Sequence, residues 1–281
     1  MRAMHALLAL VRDHPPVVAN LFSFLLLAVA ERGFLRTGLW LVTGTFLGWL
    51  MEFSSTQTGF PFGMYAYHEA AYPNDVWIGG VPLFASVSFA ALTYFGYSAA
   101  WTLLSPLRWE GANLRRVEVP GLLISAQHLF LAAVLITWMD LVMDPVTHLG
   151  RYWFLGDLYH YDPPGVHFDV PLVNYAGWLF TSVVIVFVNQ TVDRVLTNAG
   201  YPPEPAFELP LQPLWSIGCQ AGTYLMMLVV TGYLMLSPNV PPETPLGGIL
   251  VSGLLLTAIY AIFVVAMLRP SLVPGHEPAR T

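Results

Sequence analysis

Lysine is absent from this 281-residue chain, and all eleven basic residues are arginine. Cysteine occurs once, as Cys219 inside an apolar run. No intramolecular disulfide and no cysteine-based metal site can therefore form. Charge is scarce: Asp, Glu, Lys and Arg make up 10 % of the residues, against about 25 % in soluble domains. The eight histidines form no HxxxH or HxxHH cluster, which argues against a di-iron desaturase or hydroxylase. Neither a phosphate-binding glycine loop nor a dinucleotide fingerprint occurs. No metal, cofactor or nucleic acid is expected as a partner.

What is present is apolar. Hydrophobic residues reach 56 % and mean hydropathy is +0.61. Seven runs approach the roughly 20 residues that cross a bilayer. They lie at 16–31, 34–53, 80–104, 119–143, 171–192, 213–236 and 246–268. The expected fold is an all-α polytopic transmembrane helix bundle of about seven spans, eight if an N-terminal helix is counted. Gly and Pro gather between the runs, as in "YPPEPAFELPLQP". One integral membrane domain is expected over 1–281, with a short surface segment at 1–15 and a flexible tail at 270–281.

Seven spans place the N-terminus and every second loop on one side. That side holds Arg2, Arg12 and Arg151, whereas the other holds Arg32, Arg36, Arg108, Arg115, Arg116, Arg194, Arg269 and Arg280. Cytoplasmic loops carry the excess of basic residues. The N-terminus is thus expected outside the cell membrane and the C-terminus in the cytoplasm.

The same alternation brings acids together. Glu52 ends the second run, Asp140 and Asp144 end the fourth, and Asn174 and Tyr175 begin the fifth. All fall on the arginine-poor side, with the aromatic loops 54–79 and 144–170. In "TWMDLVMDP", Thr137, Asp140 and Asp144 share a helical face. Pro145 is expected to end that helix. A carboxylate within the bilayer costs about 2.5–3.5 kcal/mol, unless protonated, paired or wet. Burial and a neighbouring carboxylate both favour the protonated form, so the cluster could supply a proton-donating acid. The competing reading is that these acids cap helix ends, most readily for Asp144, which is expected nearest to water. Phe62, Tyr65, Tyr67, Trp138, Trp153, Tyr175 and Trp178 could line an apolar pocket or anchor the membrane interface. His128, mid-span, is expected to be a hydrogen-bonded packing residue.

"GFPFGMYAY", "GVPLFASVSF", "MDLVMDP" and "VPLVNYAGW" occur in that order. Together they resemble the carotenoid biosynthesis protein family. Its members include membrane carotenoid hydratases, among them carotenoid 1,2-hydratases and bisanhydrobacterioruberin hydratase. The resemblance implies addition of water across the terminal isopropylidene double bond of a carotenoid, giving a tertiary alcohol without a redox cofactor. It implies a carotenoid substrate taken from the lipid phase, with water, membrane lipids and other carotenoid enzymes as partners. On the residue reading, Asp140 or Glu52 donates the proton. The other, or Asp144, orients the water, Asn174 and Tyr175 hold it, and Phe62, Tyr65, Trp138 and Trp178 shape the pocket. Two alternatives remain open. One is an intramembrane prenyltransferase using "DLVMD" for a Mg²⁺ diphosphate; the other is a non-catalytic carotenoid-binding membrane protein.

Overall fold

A computed structural model describes residues 13–153 and 155–268, and the backbone of Leu272–Val273. The expected surface segment 1–15 lies outside the described residues apart from 13–15. Of the tail 270–281, only the backbone at 272–273 is described.

Six helices are long and apolar enough to cross a membrane: α1 (Pro15–Thr58), α2 (Leu83–Leu104), α3 (Ala126–Thr147), α4 (Leu172–Asn198), α5 (Gln212–Met235) and α6 (Leu246–Leu268). The all-α bundle holds, but the helix count among the described residues is six rather than seven. The difference lies in α1, whose 44 residues contain both of the first two expected runs. A straight helix of that length would measure about 66 Å, twice the bilayer core of about 30 Å.

Gly33 resolves the conflict. Its φ of 80° and ψ of 172° break the helix, in a region of backbone space open essentially to glycine alone. A side chain there would also strike the Glu204 carbonyl. Before the break, Val17 packs with Phe84, Phe24 meets the Tyr94 ring, and Glu31 accepts from Tyr94 and Ser98. After it, the Trp40 indole donates to Ala90, and Trp49 donates to Ile78, in the loop before α2. The two halves of α1 therefore run along α2 in opposite directions. One helix by hydrogen bonding supplies two passes, and the parity expected of seven runs survives.

α2 is the central helix, with Ala90, Ala91, Ala99 and Ala100 buried. Small residues let neighbouring helices approach closely. Large apolar side chains such as Leu225, Val229, Leu255 and Ile262 are exposed on the bundle's outside, the arrangement expected of a lipid-facing surface. α3 continues two residues past Pro145, to Thr147. The expected stop at Pro145 is corrected: a proline near the last turn gives up one hydrogen bond without ending the helix.

The two ends of the bundle differ. At one, Arg32 and Arg36 pair with Asp193, and Arg116 pairs with Glu31 at 2.7 Å. The hairpin β4 (Leu107–Glu110) and β5 (Asn113–Arg116) supplies Arg116. At the other end, β1 (Tyr65–Tyr67) pairs antiparallel with β6 (Tyr159–Tyr161), tying together the loops after α1 and α3. A short hairpin of β2 (Trp77–Ile78) and β3 (Val81–Pro82) leads into α2.

Candidate active site

The β1–β6 ladder covers a cavity of about 140 Å³. Its register pairs Tyr65 with Tyr161, Ala66 with His160 and Tyr67 with Tyr159. Strand side chains alternate between faces. "YAY" and "YHY" therefore send four tyrosines inward and leave Ala66 and His160 exposed. Burial pushes all four phenols well above their usual range, so they stay neutral and act as hydrogen-bond donors.

Two of them hold the acids. The Tyr67 hydroxyl donates to Glu52 Oε1 at 2.6 Å, and the Tyr159 hydroxyl donates to Asp144 Oδ1 at 2.7 Å. These tyrosines are cross-strand partners with ring centroids 5.9 Å apart. Glu52 on α1 and Asp144 on α3 are thus fixed over one cavity by one strand pair. Glu52 Oε2 is buried with no hydrogen-bond partner among the described residues. Asp144 is surrounded by donors: Asn174 at 2.8 Å, Thr147 at 3.3 Å and Tyr161 at 3.5 Å join Tyr159. Asn174 divides its amide group between Asp144 and Asp140, at 2.8 Å each.

No arginine forms an ion pair with Glu52, Asp140 or Asp144 among the described residues. Arg151 is exposed and bonds Tyr152 instead. A titratable base close to Asp144 is His148, just past α3, stacked on Tyr161 at 5.1 Å. Burial lowers its pKa below the usual histidine value, which keeps it neutral near pH 7.

Glu52, Asp144, Phe62, Tyr65, Tyr67, Asn174 and Trp178 all line the cavity. Asp140 does not; it stands one turn back on α3, reaching the site through Asn174. Asp144 is 6 % exposed, so the expectation of a water-facing Asp144 is corrected. Two aromatics of the expected pocket lie elsewhere. The Trp138 indole bonds the Leu256 carbonyl on α6, and the Tyr175 hydroxyl bonds His167 at 2.5 Å. Helix geometry explains both, at about 100° per residue. Trp138 is two positions from Asp140 and faces away, and Tyr175 is one position from Asn174. Trp178, four positions on from Asn174, returns to the cavity.

Residues not foreseen include Tyr159, Tyr161, Phe89 and Met227. The period-two match of "YHY" to "YAY" was the available signal for the first two. Phe89 stacks on Trp178 with centroids 4.6 Å apart and an interplanar angle of 7°. Phe62 is seated because Gly177 leaves room for its loop: a Cβ there would come 2.5 Å from the Pro61 carbonyl oxygen. His128 is buried and bonds the Tyr97 carbonyl at 3.0 Å, the packing role expected of it.

A family model described as carotenoid biosynthesis protein matches residues 16–253. Bisanhydrobacterioruberin hydratase of Haloarcula japonica is 30 % identical over 180 residues, which cover 64 % of this chain and 51 % of that protein. The match thus spans about half of that relative's length. No solved structure matches.

Proposed function

The chain belongs to the carotenoid biosynthesis protein family, and from that membership and this site we propose that it is a hydro-lyase of the carotenoid 1,2-hydratase type, adding water to the terminal isopropylidene double bond of a carotenoid. The observation that carries the reading is the pair of acids held by Tyr67 and Tyr159 over an aromatic cavity, with no arginine among the described residues bound to either. A cavity of about 150 Å³ holds a benzene molecule. One of about 140 Å³ fits the terminal five-carbon unit of an isoprenoid.

Glu52 is the proton donor, its proton carried on the unpartnered Oε2. It protonates the alkene carbon that bears the hydrogen, leaving a tertiary cation on the carbon that bears the two methyl groups. Phe62, Phe89 and Trp178, with the four tyrosines, face that cation. Each aromatic face stabilises a nearby cation by about 0.5–2 kcal/mol. Asp144, supported by Asn174, orients a water molecule and accepts its proton as the C–O bond forms. Return of a proton to Glu52 closes the cycle, and the sum is alkene plus water giving tertiary alcohol. Asp140 is a positioning residue that acts through Asn174. Preorganised dipoles around a developing charge usually supply the largest catalytic contribution.

Expression in a lycopene-producing host, followed by mass analysis of the pigments, tests the reaction. A gain of one water per reacted end is expected. Recovery of unchanged pigment bound to the protein would instead support a carotenoid-binding role. Loss of activity in EDTA together with a prenylated product would support the prenyltransferase.

A further inference from the structure

A second and larger cavity, of about 680 Å³, lies between the first half of α1 and α5. Asn20 and Met226 line both this groove and the reaction cavity, so the two meet at that point. Along α5 the groove follows Leu214, Gly218, Gly222 and Met226, a row at spacing four. Phe95 of α2 forms part of its wall.

Small-residue rows on membrane helices normally pack against a neighbouring helix. Among the described residues this row does not: a Cβ built at Gly218 or Gly222 meets nothing within 4 Å, and both positions are exposed. The glycines leave a trough open on the bundle's flank. From Leu214 to Met226 it extends about 18 Å along the helix, more than half of the bilayer core of about 30 Å. It leads from the arginine-rich end of the bundle to the acids.

We propose that this trough holds the polyene chain of the substrate, admitted sideways from the lipid, with Asn20 and Met226 as the throat through which only the end group passes. The inference rests on the hydratase reading for the identity of the occupant. The groove is apolar along most of its wall, as a hydrocarbon chain requires. Its continuity with the reaction cavity orders the substrate: the terminal double bond sits at Glu52 and Asp144 while the conjugated chain runs down α5. Chain length is then read in the groove and the reaction is read in the cavity.

The test separates those two parts. Gly218→Leu combined with Gly222→Leu adds bulk to the trough at positions where a Cβ meets no neighbour within 4 Å, and thermal unfolding of the purified variant checks its fold. The expected result is a loss of about tenfold or more in kcat/KM for a forty-carbon acyclic carotenoid. Hydration of a ten-carbon isoprenoid with the same isopropylidene end should stay at the parent rate. Equal rates with both substrates, or equal losses with both, would overturn the proposal. Cys219 lines the groove and is the chain's single cysteine, which supplies a reading independent of turnover. Lycopene should slow its reaction with an apolar maleimide in the unmodified protein. An unchanged labelling rate would overturn the groove even in a competent hydratase. Protection in a protein that hydrates neither substrate would support the groove and refute the hydratase reading.

Discussion

At the scale of single residues, Glu52, Asp144 and Asp140 separate by what surrounds them. Among the described residues, Glu52 and Asp140 each have one donor and one bare oxygen and Asp144 has four donors, but only Glu52 and Asp144 line the cavity, Asp140 lying behind Asn174. Glu52→Gln and Asp144→Asn are each expected to lower hydration by two or more orders of magnitude, within the range of about 10²–10⁴ for general acid–base catalysis. Asp140→Asn should cost less, because its contact with the reaction passes through an amide. The double Glu52→Gln, Asp144→Asn variant should lose less than the two single losses combined, since both residues serve one proton path. Product formation by detergent-solubilised protein of matched pigment content measures all four. Normal hydration by Glu52→Gln would move the donor elsewhere. Tyr67→Phe and Tyr159→Phe keep the rings and remove the donors. Each is expected to lower kcat while leaving pigment binding intact, and parent-like turnover in both would remove the strand pair from the mechanism.

At the scale of elements, Gly33 and the β1–β6 ladder decide most of the geometry. Gly33→Ala forces a side chain into a backbone region that costs about 1–3 kcal/mol, against the Glu204 carbonyl. The variant should unfold several degrees below the parent or fail to accumulate in the membrane, and an unchanged melting temperature would contradict the turn. The covering loops also carry a pH dependence. Burial lowers the pKa of His148, and of His167. The unfolded chain therefore binds more protons than the folded one just below the ordinary histidine value of about 6.5, and stability rises with pH through that window. Melting temperature should fall on acidification below about pH 6.5, and His148→Gln should flatten the fall. An identical pH profile in that variant would assign the effect to other groups. The elements also show what the sequence could and could not reveal. The apolar runs overlap the six membrane-length helices of the described residues, two of them within α1, and span parity put Glu52 and Asp144 on one side. Run lengths could not reveal that Gly33 keeps two passes within one helix, because glycine also occurs inside unbroken helices such as α2. Strands of three residues carry little periodicity, so "YHY" matches "YAY" in pattern without saying that the two loops pair. Trp138 and Tyr175 lie beside Asp140 and Asn174 in sequence but at other angles around their helices, which turns them away from the cavity.

At the scale of the whole molecule, the bundle has an acidic end under aromatic loops and an arginine-rich end held by ion pairs. Arg32, Arg36 and Arg116 are buried against Asp193 and Glu31. Much of the basic excess at that end is thus neutralised within the protein. The orientation rule still applies to it, because Lys and Arg near span ends set topology and Asp and Glu contribute little. His14, Trp77 and Tyr159 share the end opposite those arginines, with His14 bonded to Asp75 at 2.9 Å. We expect the acidic end to face outside and the β4–β5 hairpin to face the cytoplasm. Reporter fusions within 69–76 and 162–169 should report the outer face, and fusions at 111–112 and 202–206 the inner one. The opposite pattern at all four places would invert the molecule while leaving the site intact. A mixed pattern would contradict the crossings of α2, α3 and α4 that separate these four places, and a reporter fused ahead of His14 tests Gly33: two antiparallel passes in α1 put it on the same face as 69–76, a single pass on the opposite face.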